Sequence, residues 1–239
     1  MAKAAGKTTR KKKAEPSPGR RLVRLFVRAA LGIVALVVLL VVLFSVVNPP
    51  VTHTIWSEWR RLGEVEREWV PLEKIAPEMA RSVVAAEDAN FCNHWGFDVE
   101  AIRKAIESGG NRGASTISQQ VVKNVFLWQG RSWFRKALET AMTPLVELIW
   151  SKRRIVEVYL NVAEMGEGVF GVGAAAEVFF GKTPDKLTAQ EAALIAAVLP
   201  SPKERSAAKP SGAVKKRAAS IRDGAATILA DGRSACFEG

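Results

Sequence analysis

A carboxylate can take a proton from a hydroxyl, and fixed cations can steady a departing anion. This chain spaces residues for both tasks along one stretch. Glu87 and Asp88 open the run EDANFCNHWGFD, which continues through Phe91, His94, Gly96 and Asp98. Downstream, GASTISQQVVKN (Gly113 to Asn124) adds hydroxyls, side-chain amides and Lys123. RKALE (Arg135 to Glu139) then sets a second carboxylate beside Arg135 and Lys136. A base, a polar run with a lysine, and a second acid among cations fit substitution at a sugar–pyrophosphate bond. The set is too elaborate for a simple packing helix.

These residues need elements to hold them, and from Pro77 onward the apolar spacing is helical almost throughout. Pro77 suits a first helical turn, and Met79, Val83 and Val84 share a face leading to Glu87. Asp88, one position on, cannot share Glu87's face and is better suited to orienting a neighbour. Asp98 is a good N-cap for a helix whose Val99, Ile102 and Ile106 form an apolar stripe. Gly109, Gly110 and Gly113 mark a loop. Thr116-x-x-Gln119 is a capping-box pattern, followed by the stripe Ile117, Val121 and Val125. Helices are predicted over Trp133 to Ile149 and Lys152 to Leu160. Another, over Ala192 to Leu199, follows a second capping box, Thr188-x-x-Glu191, and a last one runs near Ala213 to Ala230. Pro144 removes one hydrogen bond from the helix after Glu139 and predicts a kink there. Strand signals are few, so the chain reads as one mainly α domain.

Composition bounds the rest. The first 28 residues hold ten Lys or Arg against Glu15 alone, so +9 of the formal +11 belongs to a basic tail. The remainder is nearly neutral, which argues against a nucleic-acid-binding face. Ala29 to Val47 is a run of 19 residues without charge or proline, roughly 28 Å as a helix and close to a bilayer's hydrocarbon core. It is too long for the apolar core of a cleaved signal, and no small-residue cleavage site follows. Flanking Arg20, Arg21, Arg24 and Arg28 predict a cytoplasmic N-terminus, with everything after Pro50 outside. Trp56, Trp59 and Trp69 suit either an interfacial stalk or packing on the domain. Cys92 and Cys236 lie far apart with nothing in the sequence to pair them, so they read as free thiols. Two Cys and two His offer no metal cluster.

In five ordered blocks the chain resembles the peptidoglycan glycosyltransferases, family 51 of the glycosyltransferases. The blocks are EDANFCNHWGFD at 87, GASTISQQVVKN at 113, RKALE at 135, SKRRIVEVYLN at 151, and GVFGVGAAAEVFFGKTPDKLTAQEAALIAAVLPSP at 168. The resemblance spans about residues 70 to 205. It implies a lysozyme-like, mainly α glycosyltransferase domain preceded by a single N-terminal transmembrane helix. The division that follows is a basic tail at 1–28, a membrane helix at 29–47, a stalk or interfacial segment at 48–70 and the catalytic domain at 71–239. The full set of transpeptidase signatures is not present: an S-x-x-K match occurs at Ser206 to Lys209, but there is no S-x-N, and no K-T-G, since Lys182-Thr183 is followed by Pro184. The likeness is therefore to the short, membrane-anchored, monofunctional branch.

The resemblance also implies an activity. The donor is a growing glycan whose reducing-end muramyl C1 carries undecaprenyl pyrophosphate. The acceptor is lipid II, whose N-acetylglucosamine 4-OH attacks that carbon with inversion, giving a β-1,4 strand for the cell wall. By resemblance Glu87 is the general base and Glu139 the second catalytic carboxylate. Asp88, His94, Ser115, Thr116, Gln119, Gln120, Lys123, Asn124, Arg135 and Lys136 are the expected substrate-binding residues. For His94 a structural role is the default. Glu139 would act through Arg135 or Lys136, as a proton donor, or through a divalent cation, Mg²⁺ or Mn²⁺. At i, i+4, Arg135 and Glu139 could also be no more than a surface ion pair. No organic cofactor is expected. The expected partners are lipid II, the glycan strand, the bilayer of the bacterial inner membrane and other wall-synthesis or cell-division proteins. Phe126, Leu127, Trp128, Trp133 and Phe134 fit either core packing or contact with lipid. A hydrolase on a similar fold and a non-enzymatic scaffold are the competing classes, but neither accounts for both the cations and the STISQQ block.

Overall fold

The computed structural model describes residues 18–109, 113–130 and 132–238. Gly110, most of the basic tail and Arg131 lie outside the described residues. Eleven helices run in order among those described: α1 Pro18–Phe44, α2 His53–Leu62, α3 Pro77–Glu87, α4 Val99–Glu107, α5 Ile117–Phe126, α6 Trp133–Ile149, α7 Lys152–Val162, α8 Gly171–Phe180, α9 Ala189–Val198, α10 Gly212–Ala230 and α11 Ala235–Glu238. Three short strands accompany them: β1 Glu66–Arg67, β2 Glu164–Gly166 and β3 Val169–Phe170.

Two compact units divide the chain, residues up to Leu40 and residues from Val41 onward. The first is the greater part of α1. Gly19–Phe44 is long and apolar enough to cross a membrane. This helix differs from the 29–47 span expected from hydropathy. It starts at Pro18, because Leu and Arg through residue 28 are good helix formers, and it stops at Phe44, before the Asn48-Pro49-Pro50 breaker.

In the second unit α5 packs on α6 and α7, while α3, α9 and α10 pack on one another. Tyr159, Leu160 and Ile155 of α7, with Met165, Phe170 and Ile195, are fully buried. β1 pairs parallel to β3, and β3 pairs antiparallel to β2. Gly171, at φ +80°, turns β3 into α8, and a Cβ there would lie 2.8 Å from the Asn161 carbonyl oxygen. Only glycine fits there, so this glycine-rich block makes a packed turn. Asn161 ties the same corner to the N-terminal segment, accepting from the Val70 amide at 2.7 Å and donating to the Val70 carbonyl at 2.9 Å.

Three sequence expectations are corrected here. Cys92 and Cys236 are not free thiols but are bonded to each other. The fold brings α11 onto the short turn Phe91–Asn93, a proximity with no sequence signal. The stripe Val99, Ile102 and Ile106 does not face the core, for Val99 is 66 % and Ile106 73 % exposed, and Ala105 is the only buried residue of α4. Residues 48–70 are more than a stalk: α2 buries Thr54, Ile55 and Glu58, while Trp56 and Trp59 stay half-exposed. The α1 terminus from Val41 also belongs to this unit. Trp150 Nε1 donates to the Val41 carbonyl at 2.7 Å, and Arg154 donates to the carbonyls of Phe44 and Val47. The Val41 carbonyl also accepts the Ser45 amide at 3.2 Å, while that of Phe44 lies in the last turn, where a helix leaves carbonyls without helical partners.

Candidate active site

Glu87 is the last residue of α3, held there because Met79, Val83 and Val84 are buried beneath it. Its carboxylate is mostly buried and accepts a hydrogen bond from Gln120 Nε2 at 2.9 Å. Gln120 is in turn oriented by Tyr159, the only tyrosine of the chain, whose hydroxyl donates to Gln120 Oε1 at 3.3 Å. With its oxygen so engaged, the Gln120 amide presents its NH₂ to Glu87. Burial, and then the nearby Glu87 charge, pushes the Tyr159 hydroxyl well above its ordinary pKa, so it stays a donor. Arg217 of α10 lies 3.8 Å from the other Glu87 oxygen.

Asp88 is a joint between elements in this arrangement. Its buried carboxylate binds His94 Nε2 at 2.7 Å and accepts the Ile117 amide at 3.0 Å, joining α3, the following turn and the start of α5. His94 thus holds one oxygen of the Asp88 carboxylate. Thr116 and Gln119 form the capping box read from the sequence, and the Thr116 hydroxyl also donates to the Gly96 carbonyl at 2.7 Å. Gln119 is buried and its oxygen accepts the Thr116 amide, which ties its side chain to the start of α5. Ser115 is exposed and, with Thr116, Asn90 and Glu87, lines a cavity of about 280 Å³.

On the other flank of Glu87 lies Lys123. A second cavity, about 240 Å³, is bounded by Lys123, Gln120, Asn124, Tyr159, Glu164 and Thr54, among others. Burial lowers the Lys123 pKa; Glu139 and, more weakly, Glu87 act to keep its proton on, while Arg135 and Lys136 act against it. Lys123 therefore feels both carboxylates. Burial also raises the Glu164 pKa, with the Gly168 amide and Lys203 opposing.

The third group sits in the first two turns of α6. Arg135 NH1 meets Glu139 Oε2 at 2.6 Å, and Lys136 Nζ meets Glu139 Oε1. Glu139 is only 3 % exposed, so this is not a surface ion pair. Removing Glu139 would leave two cations without their fixed partner. The divalent cation suggested by resemblance does not fit at Glu139, because both its oxygens already hold cationic side chains. A group of three possible ligands, Asp88, His94 and Asp98, is close-set, yet its carboxylates are engaged by His94, Asn90 and backbone amides. No step is derived through a metal.

Sequence reasoning did not find Ser118, Glu147 and Lys152 as a supporting set. Glu147 is buried, takes a hydrogen bond from the Ser118 hydroxyl and pairs with Lys152 Nζ at 2.9 Å. Lys152 also donates to the His94 carbonyl at 2.7 Å and lies over the Phe91 ring at 4.2 Å. The α6 helix runs through Pro144, and the Thr143 hydroxyl donates to the Glu139 carbonyl at 2.7 Å. The aromatic run divides: Leu127 is buried and Phe126 packs near Phe44 and Trp150, whereas Trp133 is 92 % and Phe134 66 % exposed.

The chain is similar to known proteins over most of its length. The transglycosylase family model matches residues 54–226. A biosynthetic peptidoglycan transglycosylase of Jannaschia sp. (strain CCS1) is 56 % identical over 235 residues, covering 97 % of this chain and 98 % of that protein. The protein of the same name from Pseudomonas putida (strain F1) is 50 % identical, covering 84 % of this chain and 89 % of its own length. That of Xanthomonas campestris pv. campestris (strain B100) is 46 % identical, over 87 % and 89 %.

Proposed function

The chain belongs to the peptidoglycan transglycosylase family, and from that premise we propose that Glu87 is the base, and Lys123, Arg135 and Lys136 the leaving-group cations, of lipid II polymerisation. Its activity is that of a peptidoglycan transglycosylase, acting on lipid II and glycan strands in cell-wall biosynthesis. The observation that carries the assignment of roles is the position of Lys123. Partly buried, it feels the charge of both acids: Glu87, which Gln120 orients, and Glu139, which Arg135 and Lys136 pair.

In the proposed step Glu87 removes the proton of the acceptor 4-OH as that oxygen bonds to the donor's muramyl C1. The bond from C1 to the pyrophosphate oxygen breaks on the opposite face, which inverts the α-linkage to β. Negative charge grows on the departing pyrophosphate. Arg135 suits a two-point contact with phosphate oxygens, and Lys123 and Lys136 supply point charges. Glu139 is a positioning residue in this reading: it fixes the two cations of α6. A hydrolase would need a protonated acid at the leaving oxygen. A pyrophosphate leaves without one once cations hold it. The proposed location is the bacterial inner membrane, with the catalytic unit on the extracytoplasmic side. The exposed Trp133 and Phe134, beside Arg135 and Lys136, suit contact with a polyprenyl chain or the bilayer.

Purified protein incubated with lipid II should yield glycan polymer, followed by gel separation of labelled strands. Glu87→Gln should lower kcat by ~10²–10⁴-fold, the usual contribution of a general base. Wild-type polymerisation that persists in Glu87→Gln would overturn the base assignment. Cleavage of preformed glycan without polymer would point to a hydrolase.

A further inference from the structure

The disulfide ends within reach of the catalytic turn. Cys92 lies five residues after Glu87, in the short turn Phe91–Asn93, and its partner Cys236 sits in α11 with their Cα atoms 5.7 Å apart. The bond is one of several contacts from the same C-terminal segment. Phe237 is fully buried, and its ring lies 6.4 Å from that of Phe91. Arg233 NH1 donates to the carbonyl of Ala89, the residue after Asp88, at 3.0 Å. Arg153 NH1 of α7 donates to the Phe237 carbonyl at 3.1 Å, anchoring the segment's far end. All of these C-terminal residues lie beyond the part of the chain that the family model matches.

The contacts lead inward to the base. Phe91, itself fully buried, meets the His94 ring edge-on at 6.3 Å. His94 holds Asp88, and Asp88 holds the start of α5, from which Gln120 reaches Glu87. We propose that residues 231–238 form a covalent clasp, closed by Cys92–Cys236, that sets the Glu87–His94 turn in its position for glycosyl transfer. Cys92 and Cys236 are positioning residues: neither touches the reacting atoms. The proposal rests on the transfer reading for its kinetic consequence. It is consistent with an extracytoplasmic domain, where disulfides persist.

The test compares the full-length protein oxidised, reduced with dithiothreitol and reoxidised, alongside Cys236→Ser and the double variant Cys92→Ser/Cys236→Ser. In reduction the reagent's two thiols supply two electrons and two protons, closing to a cyclic disulfide as the protein bond becomes two thiols. Thiol labelling confirms each state, and melting curves fix a temperature at which all forms are folded. At that temperature kcat on lipid II should fall about tenfold in the reduced protein and both variants, because misplacing a catalytic group by about 1 Å costs up to ~100-fold. KM should change by less than about twofold, since the phosphate-holding cations lie on α5 and α6, which the clasp does not touch. Reoxidation should restore the wild type, and the double variant should ignore the reductant. Full kcat with both thiols free would overturn the proposal. A second readout needs no substrate. Hydrogen exchange at amides 88–98 should quicken on reduction while that of α6 and the later turns of α5 does not, and unchanged exchange at 88–98 would also overturn the clasp. Loss of polymerisation in the oxidised wild type would count against the transfer reading, leaving the exchange measurement to decide the clasp.

Discussion

At the scale of single residues, Lys123 is the group on which the electrostatics of the site converge, and its titration is a usable handle. Burial is the largest influence on it and lowers its pKa, so it gives up its proton at a lower pH than an exposed lysine does. The unfolded chain then binds that proton more tightly than the folded one. The charged form costs stability below the folded pKa, and the cost fades as pH rises through it. For activity the sign is opposite, because only the charged form can hold a pyrophosphate. The alkaline limb of kcat/KM, which reports the free enzyme, should therefore fall at a pH below the ordinary lysine range. Lys123→Arg keeps its charge to much higher pH and should move that limb upward, whereas Lys123→Met should lose ~10²-fold or more at every pH. A pH–rate profile of the two variants beside wild type checks this, and an unmoved limb in Lys123→Arg would remove Lys123 from the leaving-group role. The sequence shows Lys123, Glu87 and Glu139 as residue types at suggestive spacings. It also shows through the capping box that Gln119, not Gln120, closes the helix start. It could not show Tyr159 turning the Gln120 amide, or Arg217 approaching Glu87, because those pairs meet only when α7 and α10 pack.

Among elements, the long helices were legible because a 3.6-residue apolar period and end signals coincide. The stretch Trp133 to Ile149 matches α6; its N-cap is Ser132, whose hydroxyl accepts the Arg135 amide. The strands were not legible, since two or three residues carry no period to read, and α4 misled because an apolar stripe does not say which side is covered. Gly96 shows how one element sets another. It has φ +79°, and a Cβ there would collide with Thr143 Cγ2 and lie 3.2 Å from Glu147 Cγ on α6. Its carbonyl also takes the Thr116 hydroxyl, so at this one glycine the catalytic turn touches both α6 and the start of α5. Gly96→Ala combines a left-handed backbone with overpacking, for about 2–5 kcal/mol of destabilisation. Denaturant unfolding should show that loss in midpoint with an unchanged slope. Activity measured in conditions where the variant is still folded should fall as well, because His94 and Asp88 move with the turn. A fully active, fully stable Gly96→Ala would contradict the fit of turn on helix.

For the whole molecule, the question is what the anchor contributes beyond attachment. Residues up to Leu40 form one unit, yet the carbonyl of Val41 is the partner of Trp150 Nε1, and those of Phe44 and Val47 are partners of Arg154. The boundary of the catalytic unit therefore falls inside α1 and not at Pro49-Pro50. Two truncations separate attachment from folding. Removing residues 1–40 retains all three carbonyls and should leave the melting temperature and the kcat in detergent micelles within about twofold of wild type, there being no lost packing within the unit. In lipid vesicles carrying lipid II the same protein should lose ~10²-fold in rate. A membrane-held enzyme meets its substrate at a high effective concentration that a released one forfeits. Removing residues 1–49 should behave differently even in micelles. The buried Trp150 indole N–H would lose its acceptor, at about 1–3 kcal/mol, and Arg154 its two carbonyls, lowering the melting temperature by several degrees. Melting curves and paired micelle and vesicle assays distinguish these outcomes. If the 1–40 truncation polymerises lipid II in vesicles as fast as wild type, the anchor does not concentrate the enzyme at its substrate. If the 1–49 truncation melts with the 1–40 protein, the end of α1 is not part of the catalytic unit's core.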